Sequence, residues 1–222
     1  AQSGSPRKLF LGTSGVGVVA PDANDGETDE EAPEDPNPFN GRISCERHVL
    51  SKGGVNGVSA CVMRLPSFVY GHGGSGVRLF MGIFAKTGSV ARIGDGLVKT
   101  SVVHVDDAAR AYVLAVERAC VGGKTSDVYN ITSSTEVTFR DFTDAIAATT
   151  GLPVREMGVA EAAEKASPLI AGFFSGRIRG KSDKAREELG WTPVEMGIVE
   201  DIRNGSYVQV AKELAAAGGS QA

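Results

Sequence analysis

One stretch constrains the fold more than any other. Residues 58–65 read Val-Ser-Ala-Cys-Val-Met-Arg-Leu, a short apolar run that stops at Pro66. A run of this length without polar alternation predicts a strand buried on both faces, as found inside parallel sheets. Proline has no N–H to donate, so Pro66 ends the ladder. The chain then continues as Ser67-Phe68-Val69-Tyr70 and a glycine-rich loop, Gly71-His72-Gly73-Gly74-Ser75-Gly76. These residues leave the carboxyl end of a central strand, where open α/β sheets bind their ligands.

Composition narrows the class. With 222 residues the chain can bury one good core, or one domain with a smaller lobe. No apolar run approaches the ~18 residues of a membrane span, and no signal-peptide pattern opens the sequence. Three cysteines without CxxC spacing (Cys45, Cys61, Cys120) argue for a reducing, cytoplasmic setting and against a disulfide framework or zinc site. The net charge is −4, but Asp22–Asp35 holds eight acids and no base, and without it the balance is +4. The acidity is local, which gives no case for nucleic-acid or membrane partners.

Residues 8–11 predict a buried strand. The glycines that follow (Gly12, Gly15, Gly17) lack the G-x-G-x-x-G spacing that opens a helix, so they are not a dinucleotide fingerprint. The acidic stretch carries Pro33, Pro36 and Pro38 and predicts a surface loop. Residues 41–52 predict a helix with Ile43, Val49 and Leu50 inward and Glu46 and Arg47 outward. A helix is expected around 79–84, and strands at 90–93 and 100–103. The next helix follows His104, capped by Asp106 or Asp107, with Ala108, Ala109, Tyr112, Val113 and Val116 as its apolar stripe. A strand is expected at 127–131. Thr138 and Asp141 form a capping box for a helix bearing Phe139, Phe142 and Ile146, ended by Gly151 and Pro153. Further helices are expected at 160–171, from a Ser182 cap to Leu189, and at 198–217, with 218–222 fraying.

Four segments in order resemble the NAD-dependent epimerase/dehydratase family, the extended and atypical short-chain dehydrogenase/reductases. They are LFLGTSGVGVVA from Leu9, the Arg42 helix with the RLPSFVYG strand end, IGDGLVKTSVVHVDDAARA from Ile93, and VYNITSSTEVTFRDFTDAIAATTGLP from Val128, with ELGWTP later. The resemblance implies the C-terminal part of a Rossmann-type parallel sheet (1–71 and 104–131). A smaller mixed α/β substrate-binding lobe (72–103 and 132–217) and a disordered tail (218–222) complete the expected domains. It also implies NAD or NADP as cofactor, a small or sugar-like carbonyl or alcohol as substrate, and room for a homodimer.

In this family a Ser or Thr polarises the substrate, a Tyr acts as acid/base, and a Lys four residues later lowers the Tyr pKa and holds the ribose. Counting from Val18-Val19-Ala20, the Ser position falls on Gly15, with Ser14 beside it. Counting back from Glu46, the Lys position falls on Arg42 and the Tyr position on Pro38, next to Phe39. The resemblance therefore makes Ser14, Arg42 and Tyr70 the catalytic candidates. Thr13, Ser14, Arg42, Leu65, Pro66, Ser67 and Phe68 are the cofactor candidates, and His72 and Lys99 the substrate candidates. No metal is implied. Arg64 reads as a structural ion at a strand end, His104 as a packed histidine, His48 as solvated and Trp191 as a packing residue. The family's nucleotide-binding half and its glycine fingerprint are absent, so about 100 residues are expected to precede Lys8, at ~25–30 per strand–helix unit. Two other expectations stay open: a non-catalytic NAD(P)-binding or sensor protein on the same fold, and a defective fragment.

Overall fold

The run at 58–65 is a central parallel strand. In the computed structural model, which describes residues 8–38, 40–121, 127–165 and 168–219, β1 (Lys8–Gly15) is followed by a 3-10 turn at Val16–Val18 and by α1 (Arg42–Leu50). Then come β2 (Val58–Leu65), β3 (Phe68–Tyr70), α2 (Ser75–Thr87), β4 (Val90–Ile93), β5 (Lys99–His104) and α3 (Val105–Cys120). After them run β6 (Val128–Asn130), β7 (Ser134–Thr138), α4 (Phe139–Thr150), β8 (Val154–Met157), α5 (Val159–Lys165) and α6 (Pro168–Ser175). The last elements are α7 (Asp183–Leu189), α8 (Ile198–Asn204) and α9 (Tyr207–Gly219).

The first sheet has the order β1-β2-β6, all parallel. Its register aligns Ser14 with Arg64 and Arg64 with Asn130, so three polar residues form one row near the carboxyl ends. A second sheet, β3-β5-β7, is mixed, and β4 pairs with β8 in parallel. Two apolar clusters result. One joins Cys61 and Met63 to Ala108, Ala111, Ala115, Ala185, Leu189 and Trp191. The other gathers Phe68, Tyr70, Phe80, Phe84, Phe139, Phe142 and Phe174 with α8 and α9 residues.

Several local signals act as the sequence predicts. Pro66 follows the last residue of β2. Thr138 and Asp141 form a complete capping box at α4, and Gly151 (φ 73) and Gly190 (φ 65) close α4 and α7 in the left-handed conformation that glycine adopts freely.

Other expectations are corrected. Glu46 faces inward and is buried, because the Arg64 guanidinium meets it there. His104, not an aspartate, caps α3: its side chain accepts the Asp106 N–H. The buried face of α3 is the alanine stripe at 108, 111, 115 and 119, and Val113 and Val116 are exposed. Small side chains let this helix lie close on the sheet. Ser182 makes no cap bond, because its Oγ accepts from Thr132 N at 2.6 Å and donates to Thr132 O at 3.1 Å. The expected helix at 160–171 is two helices, α5 and α6, and the one at 198–217 is α8 and α9. At the second break Asp201 Oδ1 takes the Ser206 N–H at 2.6 Å, and a side chain at Gly205 would run into Asp201. Helix α9 continues to Gly219, so residues 218 and 219 of the expected tail are helical, and 220–222 lie outside the described residues, as do 1–7.

The Arg64–Glu46 pair is buried on both sides, with the guanidinium Nε 3.1 Å from Glu46 Oε1 and 3.2 Å from Oε2. Glu46→Ala leaves a buried cation unpaired and should cost about 3–5 kcal/mol of stability in urea unfolding, whereas Glu46→Leu combined with Arg64→Met should recover most of it. Equal losses in the single and double variants would mean that the pair is not what the fold rests on.

Candidate functional site

The site grows from the carboxyl ends of β1 and β2. Glu46 is anchored to Arg64, and Arg42 lies one helical turn earlier on the same face of α1. This directs the Arg42 guanidinium over Gly15: a Cβ there would lie 3.3 Å from Arg42 Nη1 and 3.6 Å from the Leu65 carbonyl oxygen. The absence of a side chain at Gly15 therefore leaves a small space bounded by a cation and a carbonyl. Ser14, in the polar row, is buried and its Oγ has no hydrogen-bond partner. The amide oxygen and nitrogen of Asn130 and the hydroxyl of Thr132 share that condition. Buried polar groups are normally paired, so orphaned atoms along the ends of β1 and β6 mark where a polar ligand group would be held.

The acidic stretch is a loop, but it is pinned down rather than simply solvated. Ala20 N donates to Pro33 O at 2.8 Å, Asp35 N to Val18 O at 3.0 Å, and Thr28 N to Arg179 O at 2.9 Å. The Glu30 carbonyl accepts from Arg64 Nη1 at 3.3 Å, and the Glu30 carboxylate takes the Asn130 N–H at 2.7 Å. Among its other acids, Glu34 pairs with Arg47 and Asp25 with Arg177, while Asp22, Asp29 and Asp35 accept backbone N–H groups of the loop itself. The loop thus folds over the end of the sheet and meets a basic cleft. A cavity of about 240 Å³ is lined by Lys99, Arg177, Arg179, Leu97, Val98 and Asp25. Lys99 and Arg179 both pair with Glu136. A second cavity, about 170 Å³, lies between α2, β4, β8, α5 and α6 among Phe80, Phe84, Ile93, Met157 and Phe174. Apart from Arg155 it has no ionisable group, so it offers apolar contact but no chemistry.

The predicted site residues divide. Arg42 and the Leu65 carbonyl approach Gly15, and Ser14 stands beside Arg64 in the sheet register. Pro66 is buried behind them and Ser67 is half-buried. Thr13 is turned to the other face of β1, where its Oγ1 lies 2.8 Å from the Tyr112 hydroxyl, a partner that the sequence reading assigned to a core stripe. Phe68 is a correction: its ring is buried in the aromatic cluster, 4.7 Å from Phe142 and 5.1 Å from Phe173, so it is core and not a cofactor contact. Tyr70 is another. It is buried, its hydroxyl donates to Met196 O at 2.7 Å, and burial drives its pKa upward, away from the neutral range that suits a general base. Lys99 lines the basic cleft, and His72 stands apart from the Gly15 site, 2.8 Å from Asp106. Pro38 is exposed, and Phe39 lies outside the described residues.

With this geometry in hand, a family model matches residues 1–132, that of the NAD dependent epimerase/dehydratase family. The chain belongs to this family. It is 32% identical over 148 residues to the uncharacterised protein YLL056C of Saccharomyces cerevisiae, covering 66% of this chain and 48% of that one. It is 27% identical to the uncharacterised protein C2A9.02 of Schizosaccharomyces pombe, over 92% of this chain and 66% of the relative. Among solved structures, UDP-glucose 4-epimerase of Thermotoga maritima with UDP-glucose superposes at a TM-score of 0.66 with 22% identity, covering 94% of this chain and 64% of that one. The dTDP-glucose 4,6-dehydratase DesIV of Streptomyces venezuelae, with NAD and TYD bound, gives 0.67 at 20% identity, over 92% and 60%. The shared fold is the Rossmann-like α/β fold of these enzymes. The chain spans about half to two thirds of the length of these relatives. No helix among the described residues is long and apolar enough to cross a membrane.

Burial raises the pKa of Glu30, opposed by the Asn130 N–H it accepts. A carboxyl with a raised folded-state pKa stabilises the fold below its unfolded-state pKa, and that contribution is lost as pH rises through the folded-state value. Glu30→Gln keeps the acceptor and removes the charge. It should be more stable than the parent at pH 7, with the difference vanishing below about pH 4, the ordinary Glu range. Thermal melts across pH check this, and a variant less stable at pH 7 would contradict the stated cause.

Proposed function

We propose that this protein is an NAD(P)-dependent oxidoreductase of the epimerase/dehydratase kind, acting on a small or sugar-like carbonyl or alcohol that carries an anionic group. The observation that carries the reading is the approach of Arg42 and the Leu65 carbonyl to Gly15 at the carboxyl ends of β1 and β2, next to the buried, unpartnered Ser14 hydroxyl. When bound, the nicotinamide ring supplies or accepts a hydride. The orphaned Ser14 hydroxyl would offer a hydrogen bond to its polar end. Arg42 supplies a fixed positive field and donors for ribose hydroxyls. A guanidinium does not exchange protons near neutrality, because its pKa exceeds ~12. The glycine-rich strand–turn–helix among the described residues, from β3 through Gly71–Gly76 into α2, donates its Gly71 and Gly73 N–H groups to the Tyr207 and Ser206 hydroxyls, so these are not free to hold a pyrophosphate. The chain as it stands therefore grips only one end of the cofactor. Lys99, Arg177 and Arg179 are the residues that would face the substrate's anionic group.

A second reading has its own observation. Pro38 holds the place of the family's acid/base tyrosine, and Tyr70 is sequestered. A protein so equipped uses the cofactor as a ligand rather than a reactant.

The tests separate the two. Affinity for NAD(H) or NADP(H) should be about 1 mM or weaker, roughly −4 kcal/mol, and NMR shifts on titration should fall at Ser14, Gly15, Arg42 and Leu65. Arg42→Ala should erase them, consistent with the ~1.5–3 kcal/mol of a charged hydrogen bond. Micromolar binding by calorimetry, or shifts unchanged in Arg42→Ala, would contradict the site. With cofactor bound, slow substrate-dependent change in NAD(P)H absorbance supports the enzyme. Binding without any such change across sugar-nucleotide and small carbonyl substrates supports the non-catalytic reading.

A further inference from the structure

We propose that His72, His104, Asp106 and Glu195 form a binding site for a divalent transition-metal ion, with zinc as the natural probe. Three separate chain segments deliver these side chains to one place. His72 lies in the glycine-rich loop after β3, His104 ends β5, Asp106 sits in the first turn of α3, and Glu195 follows the Trp191 turn. Donor atoms of His104, Asp106 and Glu195 lie within 4.8 Å of one another. His72 Nε2 is 2.8 Å from Asp106 Oδ2, and His104 Nδ1 is 3.8 Å from the same oxygen. Ligands at the ~2.0–2.1 Å of zinc–nitrogen bonds in a tetrahedral site stand about 3.3 Å apart, a spacing that the His72–Asp106 and His104–Asp106 distances bracket.

The surroundings hold these ligands in place. The His104 ring is buried and packs on Gly71 (φ 119), where any side chain would run into its Nε2. This directs Nδ1 towards Asp106, whose backbone N–H it accepts at 3.2 Å, a bond that an ion at Nδ1 would replace. His72 has a left-handed backbone (φ 52), and its ring lies 5.6 Å from that of His104. Glu195 is positioned by the buried Asp107, which accepts the backbone N–H groups of Val194 at 2.8 Å and Glu195 at 3.2 Å. The Trp191 indole N–H donates to the Asp107 carbonyl at 2.8 Å and fixes the same turn. Outer contacts of this kind orient ligands in metal sites.

The charge balance also favours a cation. Asp106, Asp107 and Glu195 face a single nearby guanidinium, Arg110, which pairs with Asp107 and lies 3.0 Å from Glu195. Two imidazoles with two carboxylates suit zinc, nickel or copper and do not suit magnesium or calcium, which take oxygen ligands. The cysteine spacing that argues against a thiolate zinc site has no bearing on imidazoles. A bound ion would tie the 71–74 loop to α3 and to the turn at 194–196. It takes no part in the hydride chemistry proposed above, so the two ideas stand or fall separately.

The test uses the full chain with Cys45→Ser and Cys120→Ser, because both thiols are exposed and would bind zinc on their own. Zinc chloride is titrated by calorimetry, and cobalt(II) by its visible spectrum. The expected result is one equivalent bound at about 1 μM or tighter, against no saturable magnesium binding. Four-coordinate cobalt bands should appear without thiolate charge transfer. His72→Asn, which keeps a residue tolerant of the left-handed backbone, and Glu195→Gln should each weaken binding at least about tenfold, with circular dichroism unchanged. No saturable zinc binding below about 100 μM would overturn the proposal. So would binding that both variants leave intact.

Discussion

The buried pair of Arg64 and Glu46 is the constraint on which the rest of the sheet end depends. A guanidinium out of water needs a carboxylate, and the one available is on α1. Meeting that need fixes both the rotation and the height of the helix. Arg42 then falls four residues before Glu46 on the same side, over Gly15. The third Arg64 contact, to the Glu30 carbonyl, draws the acidic loop across the strand ends. One ion pair thus sets the helix, the candidate cofactor cation and the cover of the site.

The acidic loop explains why a strongly biased stretch coexists with a basic cleft. Asp25 pairs with Arg177, and Glu136 with Lys99 and Arg179, so the cations do not stand as an uncompensated patch. Exposed pairs such as Asp25–Arg177 and Lys99–Glu136 are worth only about 0–1 kcal/mol each. Glu30 differs from its neighbours in being drawn in against the sheet. Its raised pKa reflects that burial, whereas the exposed Glu34 is held below its usual range by the Arg47 hydrogen bond.

Much of the architecture was legible where local chemistry decides the outcome. The apolar run at 58–65, the Pro66 stop, the Thr138–Asp141 box and the glycine ends at 151 and 190 are determined by neighbours in sequence. The errors lie where distant partners intervene. Periodicity turns a glutamate outward, but Glu46 meets an arginine 18 residues away. Valines outrank alanines in any apolar stripe, yet close approach of α3 to the sheet selects the alanines. Strands β7 and β8 escaped notice because they are short; β8 is defined by pairing with β4, which lies far back in the chain. Of the candidate site, Ser14, Arg42 and Leu65 follow from motif spacing. The burial of Tyr70 and Phe68 depends on α8, α4 and the loop at 194–196, which no motif near residue 70 reports.

The central claim is that the nicotinamide end of the cofactor lies between Ser14, Arg42 and Leu65. Intermolecular nuclear Overhauser effects, measured on the isotope-labelled chain with millimolar NAD, test it most directly. The account predicts contacts from the nicotinamide ring protons to the Leu65 methyls and the Ser14 β-protons, with the adenine protons giving none there. Nicotinamide contacts to Phe80, Phe84 or Met157 in the apolar cavity instead, or adenine contacts at Ser14, would contradict it.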